Sequence, residues 1–335
     1  MTAKKYLLPA VTGAVLAGGA AGMWLVRQWA ENPDPLDGQP ARFPDGERRV
    51  VRTPDGAEIS TVTVGNGPAV VCVHGLTASR HDWGPLSSAL LDAGYQLVAV
   101  DQRGHGDSTP GTAGYGSRQL GADLAAVMSE LDLRPKALIG HSMGGMAVMG
   151  YVVDHLEDAH NRVDNLVFIA TAGSLRTARH GLGLRLGSIG VPERLMPQNT
   201  RLRLATGLGV FGARPSLHMV DEAIESFRRC PEDVRTAATN DLLDHDVLDE
   251  LSNVSIPSLV IGASRDQLIR PHQVRELDVA LPQSRLHMFE GAGHMVIWER
   301  HSEIAAHILE MLGPALYSVA TGGSDRSTQP LQEPT

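Results

Sequence analysis

Ala137-Leu-Ile-Gly140-His-Ser142-Met-Gly144-Gly-Met146 is the stretch on which the fold turns. Ala137 to Ile139 is a short apolar run, Gly140 to Gly144 matches G-x-S-x-G, and Gly144 to His155 has helical character. A serine between a buried strand and a helix, with glycine two residues before and two after, fits a tight turn with a strained backbone. The hydroxyl then projects above the edge of a sheet, at the positive end of the following helix. Five-residue patterns of this kind recur by chance; the strand before this one and the helix after it give it weight.

Working outward, Arg49 to Arg52 and Glu58 to Val64 flank Pro54-Asp-Gly56, a hairpin signal. Ala69 to Val73 is a continuous apolar run ending at His74-Gly75, and Gln96 to Val100 is another, ending at Asp101. Leu120, Leu124, Val127, Met128 and Leu131 repeat at helical spacing. Downstream, Leu166 to Ala170, Pro257 to Ile261 and Arg285 to Phe289 read as strands, and helical patterns at His272 to Leu281 and Ser302 to Leu312 follow the last two. Apolar strands alternating with helices predict the α/β class: a mostly parallel central sheet with helices on both faces. Between Thr171 and about Asp249 the alternation stops, over a length too great for a loop. An inserted helical cap is expected there. Its first half carries Arg176, Arg179, Arg185, Arg194, Arg201, Arg203 and Arg214 against the single acid Glu193. Two readings stay open for it: a solvated face over packing leucines, or a surface for anionic headgroups or an acyl chain with an acidic end.

The organisation expected is 6–26 as a membrane anchor or signal segment, 27–45 as a proline-rich linker, 46–172 and 250–314 as two parts of the core, 173–249 as the cap, and 315–335 as a disordered tail. Tyr6 to Val26 carries no charge and follows Lys4 and Lys5. As a helix it would be about 31 Å long, near the ~30 Å hydrocarbon core. An uncleaved anchor holds the main domain at a membrane outside the cytoplasm; a cleaved signal peptide releases it as a secreted protein. Arg27, Arg42, Arg48 and Arg49 weaken the orientation signal.

Composition narrows the function. With 335 residues, 42% hydrophobic and 20% charged, the chain has material for a large core, which excludes a disordered or fibrous protein. A net charge of -9 without a basic run argues against nucleic acid. Cys72 and Cys230 are too few for a disulfide framework or a cysteine zinc site.

A serine hydroxyl is a poor nucleophile until a base takes its proton. Of 14 histidines, position selects His294, in the loop Gly291-Ala-Gly-His294 after the last strand. His272, His287, His301 and His307 read as surface or packed residues. The orienting acid belongs at another strand end, where Val260-Ile-Gly-Ala-Ser-Arg-Asp266 supplies Asp266; the other strand end, Ala170-Thr-Ala-Gly-Ser174, holds no acid. Asp241, Asp244 and Asp246 read as solvated or cap-boundary charges.

With these residues in place, the sequence resembles the α/β-hydrolase superfamily, in its capped serine esterase, lipase and haloperoxidase-like branch, with the order Ser142, Asp266, His294. The likeness runs from Arg49 to Leu312 apart from the cap. His74-Gly75-Leu76, with Trp83 beyond, resembles the family's oxyanion loop, and Asp101-Gln-Arg-Gly-His-Gly-Asp-Ser108 its D-x-R-G-x-G-x-S turn. Glu299-Arg-His301 departs from the pattern, since relatives usually carry a proline shortly after that glutamate. The resemblance implies ester cleavage through an acyl-enzyme on Ser142, with His294 as base and Asp266 orienting it. It implies Leu76 and Met143 N–H groups as oxyanion donors, His74, Gly75, Gly140 and Gly144 in support, and no metal or cofactor. His74, Trp83, Arg103 and His105 are expected to brace the loop and the turn. Alternatives with the same triad are haloperoxidase or perhydrolase chemistry and C–C, amide or lactone hydrolysis; a non-catalytic binding protein is the third class. The partners expected are a small-molecule ester, with lipid among the candidates, and a membrane through the N-terminal segment. No motif speaks to oligomeric state.

Overall fold

Strands that are apolar on both faces are stable only when both faces are covered. In the computed structural model, which describes residues 20–176, 200–313 and 315, such runs line up in one eight-stranded sheet of order β1-β2-β4-β3-β5-β6-β7-β8. The strands are β1 (Glu47–Arg52), β2 (Glu58–Val64), β3 (Ala69–Val73), β4 (Gln96–Val100), β5 (Ala137–His141), β6 (Leu166–Ile169), β7 (Ser258–Ala263) and β8 (Ser284–Phe289). From β4 to β8 every pairing is parallel; β1 and β2 form the expected hairpin and run antiparallel at one end. The central strands β5 and β7 are buried along their whole length, whereas β1 at the edge is exposed at nearly every position.

A helix α1 (Ala20–Glu31) precedes the sheet. Helices α2 (Gly84–Asp92), α3 (Ser117–Glu130), α4 (Met143–Asp154) and α5 (Leu156–Arg162) connect the strands in its first part. On one face Leu120, Leu124, Val127 and Met128 of α3 join Met146 and Met149 of α4 in one buried cluster. On the other, Leu86 and Leu90 of α2 pack with Ile304, Ile308 and Leu312 further along the chain. Because β3 to β8 run the same way, the loops after β3, β5, β7 and β8 gather at one edge, where an α/β sheet commonly carries its site.

Between β6 and β7 come α6 (Thr200–Val210), α7 (Leu217–Arg229) and α8 (Glu232–Leu242). Ser216 caps α7, its Oγ accepting the Met219 N–H at 3.0 Å. Two of the arginines expected here are paired with acids. Arg176 pairs with Asp246 at 2.8 Å, and Arg203 makes two bonds of 2.7 Å to Asp221. Arg179, Arg185 and Arg194 lie outside the described residues. The chain closes with α9 (Pro271–Ala280), α10 (Val296–Glu299) and α11 (His301–Leu312). Of the expected tail, only residue 315 is among the described residues.

The described part of the N-terminal segment packs on the protein. The last residues of the charge-free run 6–26 belong to α1. Val26 and Trp29 are buried, and the Trp29 indole lies directly on Gly207 of α6. Among the described residues no helix is long and apolar enough to cross a membrane. Residues 6–19 lie outside the described residues. The stretch 27–45, expected as a linker, is strapped down. Leu36 and Phe43 are buried. Asn32 donates to the Pro215 carbonyl at 2.8 Å, and Asp34 takes the Ser216 hydroxyl at 2.9 Å and lies 2.9 Å from the His218 ring. Prolines and charges fill this stretch, but the few apolar side chains among them find complementary surface on the core and the cap.

Candidate active site

β5 ends at His141 and α4 begins at Met143, so Ser142 alone makes the turn, with φ 52° and ψ -120°. A positive φ is unfavourable for serine, by about 1–3 kcal/mol, and persists because the surroundings leave no alternative. The Ser142 N–H donates to the Ile169 carbonyl at 2.9 Å. The Ser142 carbonyl accepts the N–H groups of Gly145 and Met146 and, at 2.8 Å, the Thr171 hydroxyl. Glycine is required on either side by close approach. A Cβ at Gly144 would stand 2.1 Å from the Val73 carbonyl oxygen, and one at Gly140 would stand 2.5 Å from that of Gly144.

His294, in the loop between β8 and α10, reaches the same point. Its Nε2 lies 2.9 Å from Ser142 Oγ, and its Nδ1 lies 2.8 Å from Asp266 Oδ2. Asp266, just past β7, is 2% exposed. Its second oxygen accepts the N–H groups of Leu268 and Ile269 at 2.8 and 2.9 Å, which fixes the plane of the carboxylate. An ionised carboxylate accepts only, so the Nδ1–H of His294 points at Asp266 and Nε2 is free to accept the Ser142 proton. The structure therefore brings the three residues singled out by strand-end position into one hydrogen-bonded chain.

The loop that carries His294 is braced from both sides. The Glu299 carboxylate accepts the Gly293 N–H at 2.8 Å and, with its other oxygen, the Gly212 N–H of the cap at 3.0 Å. Burial raises the pKa of this carboxyl against those two bonds. His141, under the elbow, donates Nε2–H to the His294 carbonyl at 3.1 Å. Burial pushes the His141 pKa down to about 3, so the ring is neutral.

Facing the elbow is the turn after β3. A Cβ at Gly75 would stand 3.2 Å from Ser142 Cβ, so this loop covers the serine directly. Leu76 follows it, half-buried. Met143 is the first residue of α4, and its N–H has no partner within the helix. His74 is wholly buried and neutral, since burial lowers its pKa. Its Nδ1–H donates to the Gly75 carbonyl at 2.7 Å, and its Nε2 accepts the Gln102 N–H at 3.0 Å. The turn after β4 is locked by charge. Asp101 accepts from the Arg80 backbone N–H and guanidinium. Arg103, 0% exposed, spans Asp123 with two bonds of 2.6 Å and Asp55 with bonds of 2.9 and 3.1 Å. Hydrogen bonds from Arg103 hold the Asp55 carboxyl well below the usual range. Among the described residues His105 bonds only within its own turn, its Nδ1 lying 2.9 Å from the Arg103 carbonyl, and Trp83 is buried beneath the loop.

The remaining candidates stand apart from this site. His301 bonds the Trp298 carbonyl, and His287, on the edge strand β8, meets the His307 ring at a tilt with centroids 4.0 Å apart. Asp241 accepts the Tyr115 N–H at 2.7 Å, which ties the cap to the core. His141, Thr171 and the Glu299–Gly212 bond were not singled out by sequence. Only the place of His141 beside the serine could have drawn attention to it.

The sequence profile of the alpha/beta hydrolase family matches residues 70–307. A non-heme chloroperoxidase of Kitasatospora aureofaciens is 27% identical over 267 residues, 73% of this chain and 91% of that protein. A non-heme haloperoxidase of Rhodococcus erythropolis is 27% identical over 272 residues, 78% of this chain and 98% of that protein. Among solved structures, an esterase from Exiguobacterium antarcticum superposes with a TM-score of 0.70 at 20% identity, covering 79% of this chain and 99% of that one. At that identity the superposition speaks for the fold.

Proposed function

This chain belongs to the alpha/beta hydrolase family, and from that premise we propose that it is a serine hydrolase of carboxylic esters, acting on a small-molecule substrate through an acyl-enzyme on Ser142. The observation that carries the reading is the unbroken chain from Ser142 Oγ through His294 to Asp266, at 2.9 and 2.8 Å. Ser142 Oγ attacks the ester carbonyl carbon as its proton passes to His294 Nε2, and Asp266 stabilises the imidazolium that forms. The Met143 and Leu76 N–H groups receive the oxyanion, each such donor contributing ~2.7–4 kcal/mol in the transition state. Collapse expels the alcohol, which takes the proton back from His294. Water, deprotonated by His294, then releases the acid and restores the serine.

A second reading is favoured by the names of the relatives in Kitasatospora and Rhodococcus. In it, hydrogen peroxide replaces water at the second step, and the acyl-enzyme is released as a peracid able to oxidise halide. A p-nitrophenyl ester chain-length series, run beside a peroxide-dependent halogenation assay, separates the two. Ester turnover without halogenation supports the first reading, and halogenation that depends on a carboxylic acid supports the second. Fluorophosphonate labelling of the wild type that is lost in Ser142→Ala supports both; absence of labelling overturns both in favour of a binding protein. For localisation, the charge-free run behind Lys4 and Lys5 supports export. Recovery of the protein from the cytosolic fraction of the source cell would contradict that.

A further inference from the structure

The turn that carries Leu76 is held from the cap. Gly75 to Ala78 closes on itself, the Ala78 N–H donating to the Gly75 carbonyl at 3.3 Å. Thr77, its third residue, has φ 64°. A β-branched residue is a genuine outlier at positive φ, and such a conformation persists only where neighbours over-determine it. One such neighbour lies 149 residues away in sequence, where Ser226 of α7 donates its hydroxyl to the Thr77 carbonyl at 3.0 Å. The Thr77 carbonyl is thus engaged by the cap, two peptides on from the Leu76 N–H. The arm that makes this contact is rigid, since Met219, Val220 and Ile224 of α7 are buried in the core cluster.

We infer that Ser226 is a positioning residue, which holds Thr77 in its left-handed backbone and so aims the Leu76 N–H at the oxyanion. The role rests on Leu76 acting as a donor in the ester hydrolysis proposed above. The cap then contributes to transition-state stabilisation as well as covering the substrate. Ground-state binding, which makes little use of the aimed N–H, stays the same.

The test uses the full chain and the p-nitrophenyl ester it turns over fastest, with a boronic acid as a tetrahedral mimic. Fluorophosphonate labelling of the wild type comes first; a chain that does not label overturns the hydrolase reading and this inference with it. In a chain that labels, Ser226→Ala lowers kcat about 10-fold, short of the ~100-fold that follows outright loss of a donor. KM stays within about 2-fold, and boronic acid affinity falls by the same factor as kcat. Thr77→Gly adopts positive φ without strain, so in that background Ser226→Ala costs about 2-fold or less. Ser226→Thr, which keeps the hydroxyl, retains the wild-type kcat. Should Ser226→Ala fail to fold, Ser226→Cys, which keeps the shape but weakens the donor, gives the same split between kcat and KM in smaller measure. A folded Ser226→Ala with wild-type kcat, a loss confined to KM, or an equal loss in the wild-type and Thr77→Gly backgrounds overturns the inference while leaving the hydrolase reading standing.

Discussion

The elbow at residues 140–144 and the strap at residues 20–45 are held by different kinds of contact. At the elbow, Ser142 is fixed by close packing and hydrogen bonds with the strands beside it, β3 pressed against Gly144 and the Ile169 carbonyl of β6 accepting the Ser142 N–H. Along the strap, Trp29 rests on Gly207, while Asn32 and Asp34 bind Pro215, Ser216 and His218. Every one of those partners belongs to the cap, far away in sequence. Tight backbone packing inside the sheet places the reactive atom, whereas burial of scattered side chains decides whether the cap stays seated. Substitutions at the elbow should therefore remove chemistry, and substitutions in the strap should remove stability while the chemistry per folded molecule persists.

Ser142→Ala gives the largest effect. It lowers kcat for ester hydrolysis by about 10⁶-fold, and adding His294→Ala lowers it no further, because the residues act as a unit. Steady-state kinetics on the single and double variants check this. Trp29→Ala comes next: denaturant unfolding should show a loss of ~3–5 kcal/mol with an unchanged labelling rate per folded molecule. A fall in that rate would break the comparison by drawing the strap into the chemistry. Gly144→Ala should cost ~2–3 kcal/mol by overpacking and also abolish labelling, which marks the elbow as the place where both properties fail together.

Acid probes the core side of the same contrast. Burial pushes the pKa of His105 and His245 down to about 4 and that of His141 to about 3, whereas an unfolded histidine titrates near ~6.5. Between those values the unfolded chain binds protons that the folded one refuses. Stability is therefore full above ~6.5 and falls as the pH drops toward 4, by up to ~1.4 kcal/mol per pH unit for each histidine. His245 bonds the Ser117 hydroxyl at 2.8 Å and the Ala172 carbonyl at 3.0 Å. Urea midpoints at pH 7 and pH 5 should lie closer together in His245→Gln. The smallest effect is that of Asp34→Ala, which removes the acceptor of the Ser216 hydroxyl and the partner of His218 for a loss of about 1 kcal/mol; thermal melts resolve it.

The same contrast explains what could be read from the chain alone. Ala137 to Met146 spells out a buried strand, a tight turn and a helix by composition and spacing, so β5, Ser142 and α4 follow from local rules. Asp266 and His294 were reachable because parallel strands bring their ends to one edge. Trp29, Leu36 and Phe43 were not, because isolated apolar residues among prolines and charges carry no periodicity, and their burial is set by where the core and the cap lie. Thr171, Ser226 and the second bond of Glu299 escaped notice for a related reason: each acts through a backbone group distant in sequence, which leaves no pattern in residue types.

The central claim is that Ser142 Oγ becomes covalently acylated. Protein quenched in acid during turnover of a p-nitrophenyl ester, then digested and examined by mass spectrometry, reports on that bond directly. The account predicts one acyl group per chain, on the peptide that contains Ser142, and none in Ser142→Ala. An unmodified protein turning over at full rate, or an acyl group mapped to another residue, would contradict it.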